Sequence, residues 1–183
     1  MAQTVDATTH IMKRIVLTGA ESTGKSTLAK IVARHFHAPC SAEFVRQYVD
    51  DIQRNINLED LDAIARGQIA VEDEVISQAQ QLVFHDTNLL SSIIYAQHYF
   101  NARLEWVNEC FAARDYTLYL LCIPDIPWQA DKGQRESPQA RDQLHLMFKS
   151  TLDELKLPYI EISGPPEQRL RQAIHAIHAI EAV

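Results

Sequence analysis

One run of eight residues in this chain is arranged to hold phosphate. Gly19-Ala20-Glu21-Ser22-Thr23-Gly24-Lys25-Ser26 fits the pattern G-x-x-x-x-G-K-[ST]. Gly19 and Gly24 permit backbone conformations and close approaches that a Cβ would block. The N–H groups of Glu21, Ser22, Thr23 and Gly24 can then turn inward. The helix that follows, entered through Ser26 and Thr27, adds the positive end of its dipole. Lys25 supplies a full charge for the β- and γ-phosphates, and the Ser26 hydroxyl is placed to ligate Mg²⁺. The chemistry expected of this loop is the binding of a nucleoside triphosphate with Mg²⁺.

Three further groups of residues follow hydrophobic runs and suit phosphoryl transfer. Asp86 ends Leu82-Val83-Phe84-His85, where a carboxylate can hold Mg²⁺ directly or through water, or simply cap a turn. Glu43 and Arg46 stand three apart, so they share a helix face. They suit either an acceptor hydroxyl and a transferred phosphoryl group, or an ordinary surface ion pair. The stretch Pro127-Trp128-Gln129-Ala130-Asp131-Lys132-Gly133-Gln134-Arg135-Glu136, with Arg141 beyond it, reads as a lid over about residues 129–142. There Arg135 and Arg141 could meet phosphates, Trp128 a flat ring and Asp131 a hydroxyl, or the segment could be a plain surface loop.

These residues need a scaffold that alternates strands with helices, and the pattern supplies one. Strands are expected at Lys13–Thr18, about Ala38–Ala42, Gln81–His85, Thr117–Ile123 and Tyr159–Ile162. Helices are expected at Lys25–His37, Glu43–Asp51, Asn57–Gln78, Leu89–Phe100, Arg103–Arg114, from Ser137-Pro138 onward, and at Gln168–Ile180. Asn57 is the expected cap of the long helix, and Leu58, Leu61, Ile64, Ala65, Ile69 and Val75 are its apolar stripe. Glu72, Asp73 and Glu74 read as a solvated face, and Tyr95 and Tyr99 as core beside the cleft. The order implies an α/β fold of the P-loop NTPase, nucleoside-kinase-like type. Its five-stranded parallel sheet carries helices on both faces, and ligands bind beyond the strands' carboxyl ends.

Length and composition agree with one domain, taken as residues 13–183 behind a flexible leader of residues 1–12. A net charge of −7 disfavours a nucleic-acid partner, and no apolar run is long enough to span a bilayer. Cys40, Cys110 and Cys122 are scattered without metal spacing, which suits reduced thiols in the cytoplasm.

Four blocks taken together carry a more specific resemblance. They are Gly19–Thr27; Glu43-Phe44-Val45-Arg46-Gln47-Tyr48-Val49; Phe84-His85-Asp86-Thr87-Asn88; and Pro127-Trp128-Gln129-Ala130-Asp131 followed by Arg135. In that order they resemble the ribosylnicotinamide kinase domain of NadR-type proteins, a P-loop ATPase/kinase family linked to NAD metabolism. The resemblance implies transfer of the ATP γ-phosphate to the 5′-hydroxyl of nicotinamide riboside, giving nicotinamide mononucleotide. It implies Glu43 or Asp86 at the acceptor hydroxyl, Asp86 and Ser26 at Mg²⁺, Arg46, Trp128 and Asp131 at the substrate, and Arg135 and Arg141 as lid arginines. Two positions depart from it: Ala42 stands where members often have an aromatic residue, and Asn88 where they often have Asp. Only about twelve residues precede the first strand, so the nucleotidyltransferase and helix-turn-helix parts of full-length members are not expected. The rival readings are a kinase for another nucleoside or nucleotide, and a regulatory ATP-binding switch.

Overall fold

The computed structural model describes residues 11–128 and 137–181. Strands β1 (Lys13–Thr18), β2 (Cys40–Ser41), β3 (Leu82–Asp86), β4 (Leu118–Cys122) and β5 (Tyr159–Ile162) form one sheet in the order β2-β3-β1-β4-β5. Every neighbouring pair is parallel. The helices are α1 (Lys25–His35), α2 (Phe44–Ile52), α3 (Asp60–Gln78), α4 (Leu89–Phe100), α5 (Glu105–Ala112), α6 (Pro138–Glu154) and α7 (Pro166–Glu181). The five parallel strands and the covering helices are those expected, with ends displaced by up to three residues.

Side chains alternate across the central strands and so divide the core in two. Ile15 and Leu17 of β1, Phe84 of β3 and Leu118 and Leu120 of β4 pack with Leu28 and Val32 of α1 and Ile177 of α7. Val16, Tyr119 and Leu121 point the other way, against Leu89, Leu90 and Ile94 of α4, Val107 of α5 and Phe148 of α6. Because β1 lies between β3 and β4, the loop after it opens at the middle of the sheet's carboxyl edge, next to the end of β3.

The long helix departs from its expected reading in two places. Leu58 precedes the helix and is 52% exposed, so it is no part of the apolar stripe. Asn57 does close the entry: its Oδ1 accepts from the Asp60 amide at 3.2 Å while Asp60 Oδ2 accepts from the Asn57 amide at 2.8 Å. Asp60 also takes both ends of the Arg54 guanidinium, at 2.6 and 2.7 Å. Glu72 does not lie on a solvated face. It is fully buried, accepting from the Tyr116 hydroxyl at 2.7 Å and the Gln68 amide at 3.3 Å. Its burial pushes the carboxyl up to about 7.

Candidate active site

The phosphate loop is held by main chain. Gly19 has φ +126°, and a Cβ there would stand 2.7 Å from the Cys122 carbonyl oxygen of β4. Only glycine lets the loop leave β1 so close to its neighbour. Gly24 has φ +80° and leads into α1. The Ala20 carbonyl accepts from the Thr23 hydroxyl at 2.8 Å and from Lys25 Nζ at 2.7 Å, so the loop folds around its own lysine.

Two arginines fasten this loop from behind. Arg141 of α6 is buried and donates to the carbonyls of Ser22, Ile126 and Pro124 at 3.4, 3.0 and 3.1 Å. That placement corrects its reading as a lid arginine: both terminal nitrogens donate to backbone, and the Nε–H is buried without a partner among the described residues. Arg169 of α7 was not singled out by the sequence. It is buried, donates to the Thr23 carbonyl at 2.8 Å, to Ile123 at 2.9 Å and to Gly164 at 2.7 Å, and pairs with Asp125. An arginine in an amphipathic helix 146 residues from its target leaves no local signal.

Asp86 ends β3, one residue before Thr87, which lines a second space. Asp86 is 5% exposed, and Oδ1 has no partner among the described residues. Burial raises its pKa, and the charge of Glu43 raises it further. Hydrogen bonding from Ser26 and the charges of Lys25 and Arg46 oppose the rise. One carboxylate thus feels the charges of Lys25, Arg46 and Glu43 and the hydroxyl of Ser26. A buried, unpartnered carboxylate oxygen beside a serine hydroxyl is a chemically suitable pair of oxygen donors for Mg²⁺. Among the described residues no cluster of three or more His, Cys, Asp or Glu could hold a metal alone, so phosphate and water oxygens would have to complete the shell.

The second space is a cavity of about 370 Å³ walled by α2, α3 and α4. Glu43 and Arg46 both line it, and they also form an ion pair at 2.6 Å. The ion pair is therefore made at the cavity wall. Tyr95 and Tyr99, expected as core, line the cavity too and stack on each other at 5.8 Å with an interplanar angle of 9°. Gln68 braces its back wall. The side chain accepts from the Phe44 amide at 3.1 Å and donates toward the Thr87 carbonyl at 3.5 Å and Glu72 at 3.3 Å. It thereby joins the start of α2, just after Glu43, to the end of β3, just after Asp86. Thr87 itself has φ +66°, an uncommon conformation for a β-branched residue. Asn88 also lines the cavity, but its side chain is already engaged. Its side chain caps α4 at the Leu90 amide (3.2 Å) and donates to the Tyr119 hydroxyl at 3.0 Å.

The remaining sequence-predicted residues are not all gathered here. Ser22 adopts φ +53° within the loop, Ser26 is half-buried and Thr27 is exposed on α1. Trp128 does not line the cavity, and its indole N–H is buried without a partner among the described residues. Asp131 and Arg135 lie outside the described residues.

Comparison with known proteins bears on the same span. The trifunctional NAD biosynthesis/regulator protein NadR of Escherichia coli K12 is 25% identical over 159 residues, covering 82% of this chain and 38% of the relative. The chain thus spans less than two fifths of that relative's length. A crystal structure of NadR protein in complex with NR superimposes with a TM-score of 0.83 at 26% identity, covering 95% of this chain and 53% of that one. The thymidylate kinase of Ehrlichia chaffeensis shares the fold, with a TM-score of 0.68 at 9% identity over 91% of this chain and 98% of that one. A family model described as AAA domain matches residues 14–169, from the strand before the phosphate loop to the arginine that fastens it. By that match the chain belongs to the AAA domain family.

Proposed function

We propose that this protein is an ATP-dependent kinase that phosphorylates the 5′-hydroxyl of nicotinamide riboside. The observation that carries this reading is a phosphate-loop motif whose Glu21 also lines a cavity of nucleoside size, together with Glu43 and with Thr87, the residue after Asp86. The likeness to NadR in complex with NR supports the choice of acceptor, and the likeness to NadR with NAD and AMP-PNP supports ATP as donor.

In this reading the loop amides and Lys25 hold the β- and γ-phosphates, and Glu43 and Arg46 face the acceptor. The acceptor oxygen forms a new bond to the γ-phosphorus as the bond to the β-bridging oxygen breaks. ADP leaves, and the hydroxyl proton passes to Glu43 or Asp86. Ser26 and Asp86, with the phosphates, would hold Mg²⁺, which would supply positive charge to the transferred group. The protein contributes positioning and charge, with the cavity presenting the hydroxyl toward the loop. The three cysteines are unpaired, which supports a cytoplasmic setting, and among the described residues no helix is long and apolar enough to cross a membrane.

The test is transfer from γ-labelled ATP with Mg²⁺ to nicotinamide riboside, other ribosides and deoxyribosides, with acceptor-free hydrolysis as control. Transfer to nicotinamide riboside above the others is the expected result. Transfer to another nucleoside alone replaces the acceptor, and no transfer to any of them overturns the kinase reading. Glu43→Gln should lower turnover by about 10²- to 10⁴-fold while nucleotide affinity holds. An unchanged rate would remove Glu43 from the proton step.

A further inference from the structure

Glu21 lies in the phosphate loop, yet its side chain does not belong to the phosphate side. A carboxylate facing a triphosphate would repel it, and the chain avoids this by turning Glu21 away. The residue is 6% exposed and lines the acceptor cavity. Oε2 accepts from the Tyr95 hydroxyl at 2.8 Å, while Oε1 is buried with no hydrogen-bond partner among the described residues. Tyr95 is itself fixed, stacked on Tyr99 and set edge-on to Phe148 at 6.0 Å, so the carboxylate is held in one place. A buried carboxylate oxygen left without a donor is costly, and a ligand that brings an O–H repays the cost.

We infer that Glu21 is a specificity-determining residue of the acceptor site, whose free Oε1 accepts a hydrogen bond from a secondary hydroxyl of the acceptor's ribose. This rests on the reading of the cavity as the acceptor site. The position favours the sugar over the base. Glu21 is attached to the loop that holds the transferred phosphate, so the part of the acceptor beside it is the part next to the reacting 5′-oxygen. The same attachment ties acceptor recognition to the conformation of the phosphate loop, because the backbone of Glu21 serves one ligand and its side chain the other.

The experiment measures binding of nicotinamide riboside and its 2′-deoxy and 3′-deoxy analogues to AMP-PNP-loaded protein, in the wild type, Glu21→Gln and Glu21→Ala. Wild type should bind the riboside about 10- to 100-fold more tightly than one of the deoxy analogues. Glu21→Ala should weaken the riboside by a similar factor and leave that deoxy analogue nearly unchanged, with AMP-PNP affinity preserved. The isosteric Glu21→Gln, which keeps the shape of the loop, should fall between. Equal losses for all three ligands, or loss of AMP-PNP binding in Glu21→Gln, would overturn the assignment. So would a loss in Glu21→Gln for the cationic riboside but not for its uncharged dihydro form, because that outcome makes Glu21 a partner of the ring's charge. Ribose-selective binding that depends on Glu21 without phosphate transfer would sink the kinase reading alone. Transfer that ignores Glu21 would sink this inference alone.

Discussion

At the loop end of the cleft the hydrogen bonds converge on main-chain carbonyls, whereas the cavity end is braced by bonds between side chains as well as to backbone. The loop from Gly19 to Ser26 wraps its own lysine through the Ala20 carbonyl, and Arg141 and Arg169 grip it through carbonyl oxygens. The cavity beside it is braced by side chains: Gln68 of α3 reaches the start of α2, Tyr95 of α4 holds Glu21, and behind Gln68 its neighbour Glu72 takes the Tyr116 hydroxyl. Backbone contacts depend on a few permitted conformations and tolerate many residue types around them. Side-chain networks depend on each member. The first arrangement suits a ligand part that never changes, a phosphate chain, and the second suits a part that must be told from its analogues.

If the contrast is sound, mutations should separate the two ends. Lys25→Ala removes the one full charge that the loop offers phosphate and should cost on the order of 10³-fold in turnover, read by steady-state kinetics. A loss below tenfold would mean that the amides suffice and that the contrast is stronger than drawn. Arg169→Leu should act through the scaffold. With three carbonyls and Asp125 deprived of their donor, unfolding free energy should fall by about 2–4 kcal/mol in urea titrations, and the KM for ATP should rise. Unaltered stability would show that the loop stands without its rear anchor.

The smallest effect is expected at the acceptor end, and it depends on pH. Glu72 has its carboxyl at about 7 in the fold against 4.5 ordinarily, so between those values the native state holds a proton that the unfolded chain releases. Stability should fall as pH rises from about 4.5 to 7 and then level off. Glu72→Gln removes that term. The variant should match the wild type near pH 4.5 and exceed it at pH 8 by about 1–3 kcal/mol, as read by urea unfolding at both pH values. His85, its pKa pushed down to about 3 by burial, gives the opposite slope on the acid side, so the difference between variant and wild type is the quantity to compare. A variant less stable at pH 8 would show that the Arg114 ion pair, 3.6 Å away, outweighs the burial of the carboxylate.

The same contrast explains what the sequence made legible. The phosphate loop, β1 and α1 are contiguous, and their signal is local: glycine spacing, a β-branched run and helical periodicity. Asp86 and Glu43 could be picked out because each follows a strand, and the fold brings both to one edge. Glu72 could not. It stands beside Asp73 and Glu74, from which nothing local separates it, and its burial is decided by Tyr116, 44 residues away. Arg141 was legible as an arginine near phosphate, but not as one already engaged by carbonyls. Glu21 was legible as part of a phosphate motif, and only the packing of α4 shows that its side chain faces the cavity. Tyr95 and Tyr99 carry the helical spacing of core residues, and a cavity wall has that same spacing.

Arg169 sets an order of events for a chain made from its N-terminus. The nucleotide loop leaves the ribosome well before α7, yet its carbonyl at Thr23 waits for a partner 146 residues later. β1, too, lies between strands that begin at Leu82 and Leu118. A nascent chain halted before α7 carries the whole glycine motif without the brace that steadies it. Nucleotide capture therefore comes late in maturation, and the earliest-made part of the site is the last to become rigid.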